Sequence, residues 1–515
     1  MNQALLQDVV AEVRKRLASQ NGNSSGGNSP GYGSAGGSSS ASNRGGGVRA
    51  GEDAPANDGK LKEAQAHPHS VAVPLNEYGV FGNVENCVVA ATESQKKLLK
   101  LSLDERDQIV KLIKALAKQN AQAWGKMELD ETKIGRLDHK IEKLQILELV
   151  PGVEFLRTHA MSGSNGVCLE EFAPFGVIGV ITPVTHVIPT LSANCVNMIA
   201  SGNTIVANPH PSGVNCAAVA VREYNKAIAA KFEIDSLITC VVPPTLETAD
   251  QIFNHRGIQL LVVTGGPAVA RAALAAKKRA IVAGPGNPPV IVDETACLQK
   301  AAVSIVKGAA YDNNLLCIGE KQVFVVESVF DKLMSQMEKA GGYILNSSQI
   351  DALTRKALPV DPKDNKAHVH KDYVGKDAAV LAQAAGVSVP PTVQLLVGET
   401  NFQHPFVQEE QMMPFVPFVR VKDSAEAIDR AIESEHGYRH TAICHSRNLD
   451  TITKFGRRAA TTIFVVNGAS PAGLGLGGQG YLSYSIATPT GEGITSPLTF
   501  TRFRRVMMTG SLRMI

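Results

Sequence analysis

This sequence has no CxxC pair, no regular cysteine spacing and no large excess of one charge. Its eight cysteines, at 87, 168, 195, 216, 240, 297, 317 and 444, are scattered, which argues against a zinc site and a disulfide framework and fits a reducing cytosol. No metal site is therefore expected. A net charge of +3 over 515 residues leaves no basic surface that would make nucleic acid or an anionic membrane the main partner. No run reaches the roughly 18 uncharged apolar residues of a membrane span without Pro or Gly breaking it. The opening MNQALLQDVVAEVRKRL carries acidic residues and lacks an uninterrupted apolar core, so it does not read as a secretory signal. What is abundant is apolar mass: 44% hydrophobic against 19% charged, enough for two or three cores.

Residues 3 to 18 have a helical pattern in which Leu5, Leu6, Val9, Val10, Val13 and Leu17 form one apolar stripe, with Asn2 as the N-cap. Residues 19 to 59 are dominated by Gly, Ser and Asn, a composition too poor in apolar surface to offset chain entropy, and read as a flexible spacer. A short helix on such a tether has no core of its own and is marginal alone in water. Its stripe is expected to dock on something else, or to pack back on its own globular body. A membrane surface suits it less, because acidic and basic residues mix on its polar face.

From about residue 60 the pattern is globular. Helical stretches are expected at Val84 to Lys100, Leu103 to Met127 and Asp130 to Leu149. Buried strands then alternate with helices: Phe175 to Ile181, Asn203 to Asn208, Ser236 to Val242 and Gly257 to Thr264. Near-continuous apolar strands joined by helices predict a doubly wound parallel sheet, with ligands at the carboxyl ends of its strands. At one such end Thr264-Gly265-Gly266-Pro267 frees the backbone for a phosphate, although it lacks the GxGxxG form and can be a plain connecting turn. A third block, about 294 to 480, alternates again, with strands at Lys321 to Val326 and Thr461 to Asn467. The glycines of 473 to 480 can line a narrow passage or form a surface loop. The tail Thr499 to Met508 reads as a strand, of the kind that pairs across subunit interfaces.

Within the third block, Tyr311-Asp312-Asn313-Asn314-Leu315-Leu316-Cys317-Ile318-Gly319-Glu320 sets one cysteine behind a polar, amide-rich turn. A thiolate nucleophile needs nearby N–H donors to lower its pKa from about 8.5, and such a turn can supply them. A lone cysteine between Leu and Ile is more often a small core residue. The phosphate-type turn before it and the glycines behind it favour the nucleophile.

From about residue 75 to its end the chain resembles the aldehyde dehydrogenase superfamily, specifically the CoA-acylating propionaldehyde dehydrogenase branch of bacterial microcompartments. The matching motifs, in order, are 175–183, Asn208-Pro209-His210-Pro211, Thr264-Gly265-Gly266-Pro267, 283–294, the Cys317 segment, Glu409-Glu410-Gln411-Met412-Met413-Pro414 and 486–493. The resemblance implies an α/β fold with a Rossmann-type NAD and CoA domain at 60–293, including a β-hairpin near 153–174. It also implies a catalytic α/β domain at 294–484 and a small oligomerisation β-extension at 485–515. Residues 1–18 are similar to encapsulation peptides, which implies a partner in the shell or a co-packaged enzyme and a place in a microcompartment lumen within the bacterial cytoplasm. The family further implies a homo-oligomer, a dimer or tetramer.

The implied catalytic residues are Cys317, which attacks a short-chain aldehyde, and Thr185, which helps hold the oxyanion with the Cys317 N–H. The implied cofactor contacts are Thr182, Pro183, Asn208, His210, Pro211, Thr264, Gly265, Gly266, Gly284 and Glu410, for NAD and for coenzyme A as co-substrate. The hydrolytic branch places a water-activating glutamate in the stretch that here reads Val282-Ala283-Gly284-Pro285, with no acidic side chain. That departure implies transfer to a thiol rather than to water. Others accompany it: the hydrolytic oxyanion asparagine falls near Thr185, His186 stands where many acylating relatives have Asn, and Asn208 replaces the ribose-holding lysine, whereas Glu410 matches the ribose-binding glutamate.

Overall fold

A computed structural model describes residues 73–512, so the predicted amphipathic stretch 1–18 and spacer 19–59 lie outside the described residues. The described residues form one compact unit.

Two parallel sheets organise it. The first has six strands, in spatial order Val80–Phe81, Ile238–Val241, Thr204–Asn208, Val177–Ile181, Leu260–Thr264 and Ala280–Ala283. The chain winds outward from Val177–Ile181 in one direction and then returns to Leu260–Thr264 on its other side, so the order reverses between these two strands. A crevice opens at the carboxyl ends where the order reverses. Val177–Ile181 and Thr204–Asn208 are buried throughout, as strands covered on both faces must be. Gly179 is required by close packing: a Cβ there would stand 2.5 Å from Ile252 Cγ2, on helix Leu246–Asn254.

The second sheet has seven parallel strands, in the order Gly342–Ile344, Leu395–Thr400, Phe415–Val421, Gln322–Val326, Pro289–Val292, Thr441–His445 and Ile463–Val466. Strand Pro289–Val292 thus lies inside this sheet, and the change of sheet falls before Pro289 rather than after Asp293. A third, antiparallel sheet joins the hairpin His159–Gly163 and Gly166–Pro174 to the terminal strand Thr501–Thr509, in register Thr501↔Pro174 through Thr509↔Gly166. The terminal strand is almost wholly exposed.

The helical segment expected from Leu103 to Met127 is two helices, Leu103–Gln119 and Ala121–Thr132. Asn120 separates them, its amide turned back to the Leu116 carbonyl at 2.9 Å. Leu103–Gln119 starts at a capping box of Ser102 and Glu105 and packs on the buried helix Val187–Ala200. The helix expected from Asp130 begins only at Leu137 and ends in a 3₁₀ turn, Ile146–Leu149.

Candidate active site

The carboxyl edge of the six-stranded sheet gathers nine of the predicted cofactor residues. Thr182 and Pro183 follow Val177–Ile181, and Asn208, His210 and Pro211 end or follow Thr204–Asn208. Thr264, Gly265 and Gly266 end or follow Leu260–Thr264, and Gly284 follows Ala280–Ala283. Their surroundings differ. Among the described residues Thr182 Oγ1 is buried with no hydrogen-bond partner, and a Cβ at Gly266 would meet nothing within 4 Å, so the backbone opening helix Pro267–Ala275 is open to a ligand. Asn208 is already engaged: Thr248 Oγ1 donates to its Oδ1 at 2.6 Å, and its Nδ2 points at Thr245 O at 3.4 Å. His210 is exposed and its Nδ1 accepts from Ser212 N at 3.1 Å. Thr264 Oγ1 shares a 2.8 Å bond with Ser485 Oγ. At Gly284 a Cβ would stand 2.6 Å from Pro489 Cγ, so this position is filled by the 486–493 segment.

Cys317 lies half-buried in the loop between the 3₁₀ turn Tyr311–Asn314 and strand Gln322–Val326. Asp312, Asn313 and Asn314 before it all have left-handed φ, at 50°, 56° and 61°. Non-glycine residues hold that conformation only when their surroundings over-determine it. Here they do: Arg136 N donates to Asp312 Oδ1 at 2.7 Å, Asn313 Nδ2 to Gly375 O at 2.9 Å, and Asn314 Nδ2 to Glu320 O at 3.0 Å.

Lys321, fully buried, closes the loop from the other side, donating to Asn314 Oδ1 at 2.6 Å, Asn314 O at 3.0 Å and Leu316 O at 3.0 Å. Burial, with Glu410 second, pushes the Cys317 thiol up to about 12. Lys321 and the N–H groups of Cys317 and Ile318 act in the opposite sense. The amide-rich turn therefore does not by itself yield a thiolate, because desolvation outweighs its donors. Burial also moves the neighbours toward neutrality: Glu410 rises to about 7 against the pull of Lys321, Glu320 rises to about 7, and Lys321 falls to about 8.

Glu410 thus joins Cys317, and His440 joins both by way of Gly286, where a Cβ would stand 2.5 Å from Cys317 O and 3.0 Å from the His440 ring. His440 is buried and held neutral, its pKa pushed down to about 4 by burial and then by Lys321, and its Nε2 has no partner among the described residues. Glu320 accepts from Ser470 N at 2.9 Å and Ser470 Oγ at 2.8 Å, which ties the head of the glycine-rich segment to the Cys317 loop, whereas 477–480 are exposed.

Thr185 Oγ1 lies 3.1 Å from His186 Nε2, on the loop leading into helix Val187–Ala200. Sequence reasoning missed Lys321, Glu320 and His440. The one available signal was the polar triplet Glu320-Lys321-Gln322 at the mouth of an apolar strand.

The aldehyde dehydrogenase family model matches residues 81–481. The chain belongs to the aldehyde dehydrogenase family. Among its relatives is the acetaldehyde dehydrogenase (acetylating) EutE of Salmonella typhimurium, 41% identical over 446 residues, covering 86% of this chain and 95% of the relative. A solved propionaldehyde dehydrogenase of Rhodopseudomonas palustris with bound propionyl-CoA is 41% identical with a TM-score of 0.81, covering 84% of this chain and 95% of that one. A propionaldehyde dehydrogenase from the fucose utilisation microcompartment of Clostridium phytofermentans is 40% identical with a TM-score of 0.82, covering 85% of this chain and all of the other. For an aldehyde dehydrogenase the sheet edge fits a dinucleotide: an orphaned hydroxyl at Thr182 and open backbone at Gly265-Gly266 are groups that a phosphate or ribose would satisfy.

Proposed function

We propose that this chain oxidises a short-chain aldehyde, propionaldehyde foremost, with NAD and passes the acyl group to coenzyme A. The observation that carries this reading is the combination of Cys317, whose sulfur faces two backbone N–H groups, with a 282–285 stretch that offers no carboxylate to water. Glu410, whose charge acts on the Cys317 thiol and whose own carboxyl is raised by burial, takes the thiol proton. The sulfur then bonds to the aldehyde carbon, and the oxyanion is held by the Cys317 N–H and the Thr185 hydroxyl. NAD, when bound at the sheet edge by Thr182, Gly265 and Gly266, supplies the hydride acceptor. Loss of hydride from the adduct leaves an acyl thioester on Cys317. CoA reacts as its thiolate, which forms near neutral pH without a strong base, its proton passing to solvent. The CoA sulfur then bonds to the acyl carbon and the Cys317 thiolate leaves.

Acetaldehyde is the second reading, favoured by the 41% identity to an acetylating acetaldehyde dehydrogenase. One methylene is worth only about 1–3 kcal/mol in an apolar pocket. Steady-state specificity across two- to four-carbon aldehydes, with and without CoA, tests both. A CoA-dependent optimum at three carbons supports the first, one at two carbons the second, and undiminished turnover without CoA overturns both.

The reading extends to assembly. Residues 1–18 act as an encapsulation helix on the 19–59 spacer, directed to the shell or a co-packaged enzyme in a microcompartment lumen. The terminal strand, with Phe503 and Met507 about 60% exposed, supports a homo-oligomer through 485–515. Deleting residues 1–20 leaves turnover in solution unchanged and abolishes co-purification with shells; lost activity would place the helix in the core.

A further inference from the structure

An unbroken chain of hydrogen bonds connects the turn before Cys317 with the loop that carries Thr185. Asp312 Oδ2 accepts from Lys143 Nζ, on helix Leu137–Gln145. The same Nζ lies 3.3 Å from His186 Nδ1, and His186 Nε2 lies 3.1 Å from Thr185 Oγ1. Asp312, Lys143 and His186 are all buried, and Thr185 is half-buried.

The direction of each bond follows from which atoms carry protons. Burial lowers the Lys143 pKa from the ordinary lysine value and the Asp312 carboxylate opposes that; held in this pair, Lys143 is an ammonium and has only protons to offer. It therefore donates at both contacts, and His186 Nδ1 accepts. Burial, and after it the Lys143 charge, hold the His186 pKa well below the usual histidine value, so the ring carries a single N–H. With Nδ1 accepting, that proton sits on Nε2, which lies 3.1 Å from Thr185 Oγ1, and the Thr185 backbone carbonyl beside the ring also favours a ring proton. The hydroxyl of Thr185 has no other hydrogen-bond partner among the described residues, so its own O–H remains free. In the opposite tautomer Nε2 would accept, and the threonine proton would be spent on the ring.

We propose that Lys143 and Asp312 are positioning residues that lock His186 in its Nε2–H tautomer and thereby leave the Thr185 hydroxyl as a donor to the oxyanion formed at Cys317. This rests on the acylating reading, and it deepens it by naming what aims the second oxyanion donor. Asp312 ties the lock to the nucleophile loop through the same carboxylate that Arg136 N grips, so one residue orients both halves of the site.

The test combines a direct readout with a double-mutant cycle. Nitrogen NMR of protein labelled with ¹⁵N-histidine should show His186 protonated on Nε2 alone, and Lys143→Met/Asp312→Asn, which removes both charges together, should give a mixture of tautomers. Thr185→Val should lower kcat for CoA-dependent aldehyde oxidation about 10²-fold, the loss typical of one oxyanion donor, whereas Thr185→Ser stays within a few-fold. The Lys143→Met/Asp312→Asn pair should lower kcat about tenfold with an unchanged KM, and should cost less than twofold once Thr185 is Val. The rate of Cys317 alkylation by iodoacetamide should not change in Thr185→Val. A wild-type ring protonated on Nδ1, or losses that multiply in full with Thr185→Val, would overturn the proposal. Should no CoA-dependent turnover be found at all, the acylating reading fails by itself, and the tautomer measurement still decides whether the lock exists.

Discussion

The two sides of Cys317 are both buried and both charged, yet they are built to opposite ends. Before it, Asp312 sits against Lys143 and Lys140. Burial alone would raise its carboxyl, but the two lysines and the Arg136 N–H outweigh that and hold it down at about 2, even as burial lowers Lys143 itself. After it, Glu410 and Glu320 rise to about 7 and Lys321 falls to about 8, because burial wins over their mutual attraction. A group fixed in one charge state gives position; a group titrating near neutrality can move a proton. Cys317, the proposed nucleophile, stands where a rigid anchor meets a protonic neighbourhood.

Removing the anchor should give the largest effect. Lys143→Met leaves the Asp312 carboxylate buried and unpaired and should destabilise the fold by about 3–5 kcal/mol in denaturant titrations, with much of it recovered in Lys143→Met/Asp312→Asn. On the other side the changes should be chemical as well as structural, because Lys321 also ties the Asn314 and Leu316 acceptors of the loop. Lys321→Met removes the cation favouring the thiolate, so the midpoint of the pH profile for Cys317 alkylation should rise and labelling at pH 8 should slow about tenfold. Glu410→Gln removes the opposing charge and should shift that midpoint down, the reverse sign. If both variants move it the same way, the Lys321–Glu410 balance is not what sets the thiol.

The smallest effect is a slope. Glu320 has a folded pKa of about 7, above its ordinary 4.5, so the native state binds more protons between these values and its contribution to stability falls as pH rises through that window. Asp312 has the opposite sign: its contribution is present above 3.8 and is lost as pH falls toward 2. Glu320→Gln should flatten the decline in stability between pH 5 and 7 and leave the acid limb unchanged.

The parts of this architecture visible in the sequence are those that local chemistry dictates. Val177–Ile181 and Thr204–Asn208 read as buried strands because each is a short, continuous apolar run, and the residues proposed for the cofactor gather at their carboxyl ends. The break at Asn120 was hidden, since no Gly or Pro marks it and both flanking helices keep their apolar spacing. Cys317 was visible from its place between a phosphate-type turn and a glycine-rich segment. Lys143 was not: a lysine in Leu137–Gln145 reads as solvent-facing, and only the tertiary approach of Asp312 buries it. His440 gives no pattern either, because what matters is the glycine at 286 that lets its ring and the Cys317 carbonyl share one small space. A sequence displays periodicity, but long-range pairs of charge become visible only once the chain is folded.

The most direct measurement is a rapid-quench experiment with aldehyde and NAD but no CoA, followed by peptide mass spectrometry. The account predicts one burst of NADH per active site, an acyl group on Cys317 alone, and sustained turnover to acyl-CoA only when CoA is added. Acyl label on another residue, or steady formation of free carboxylate without CoA, would contradict it.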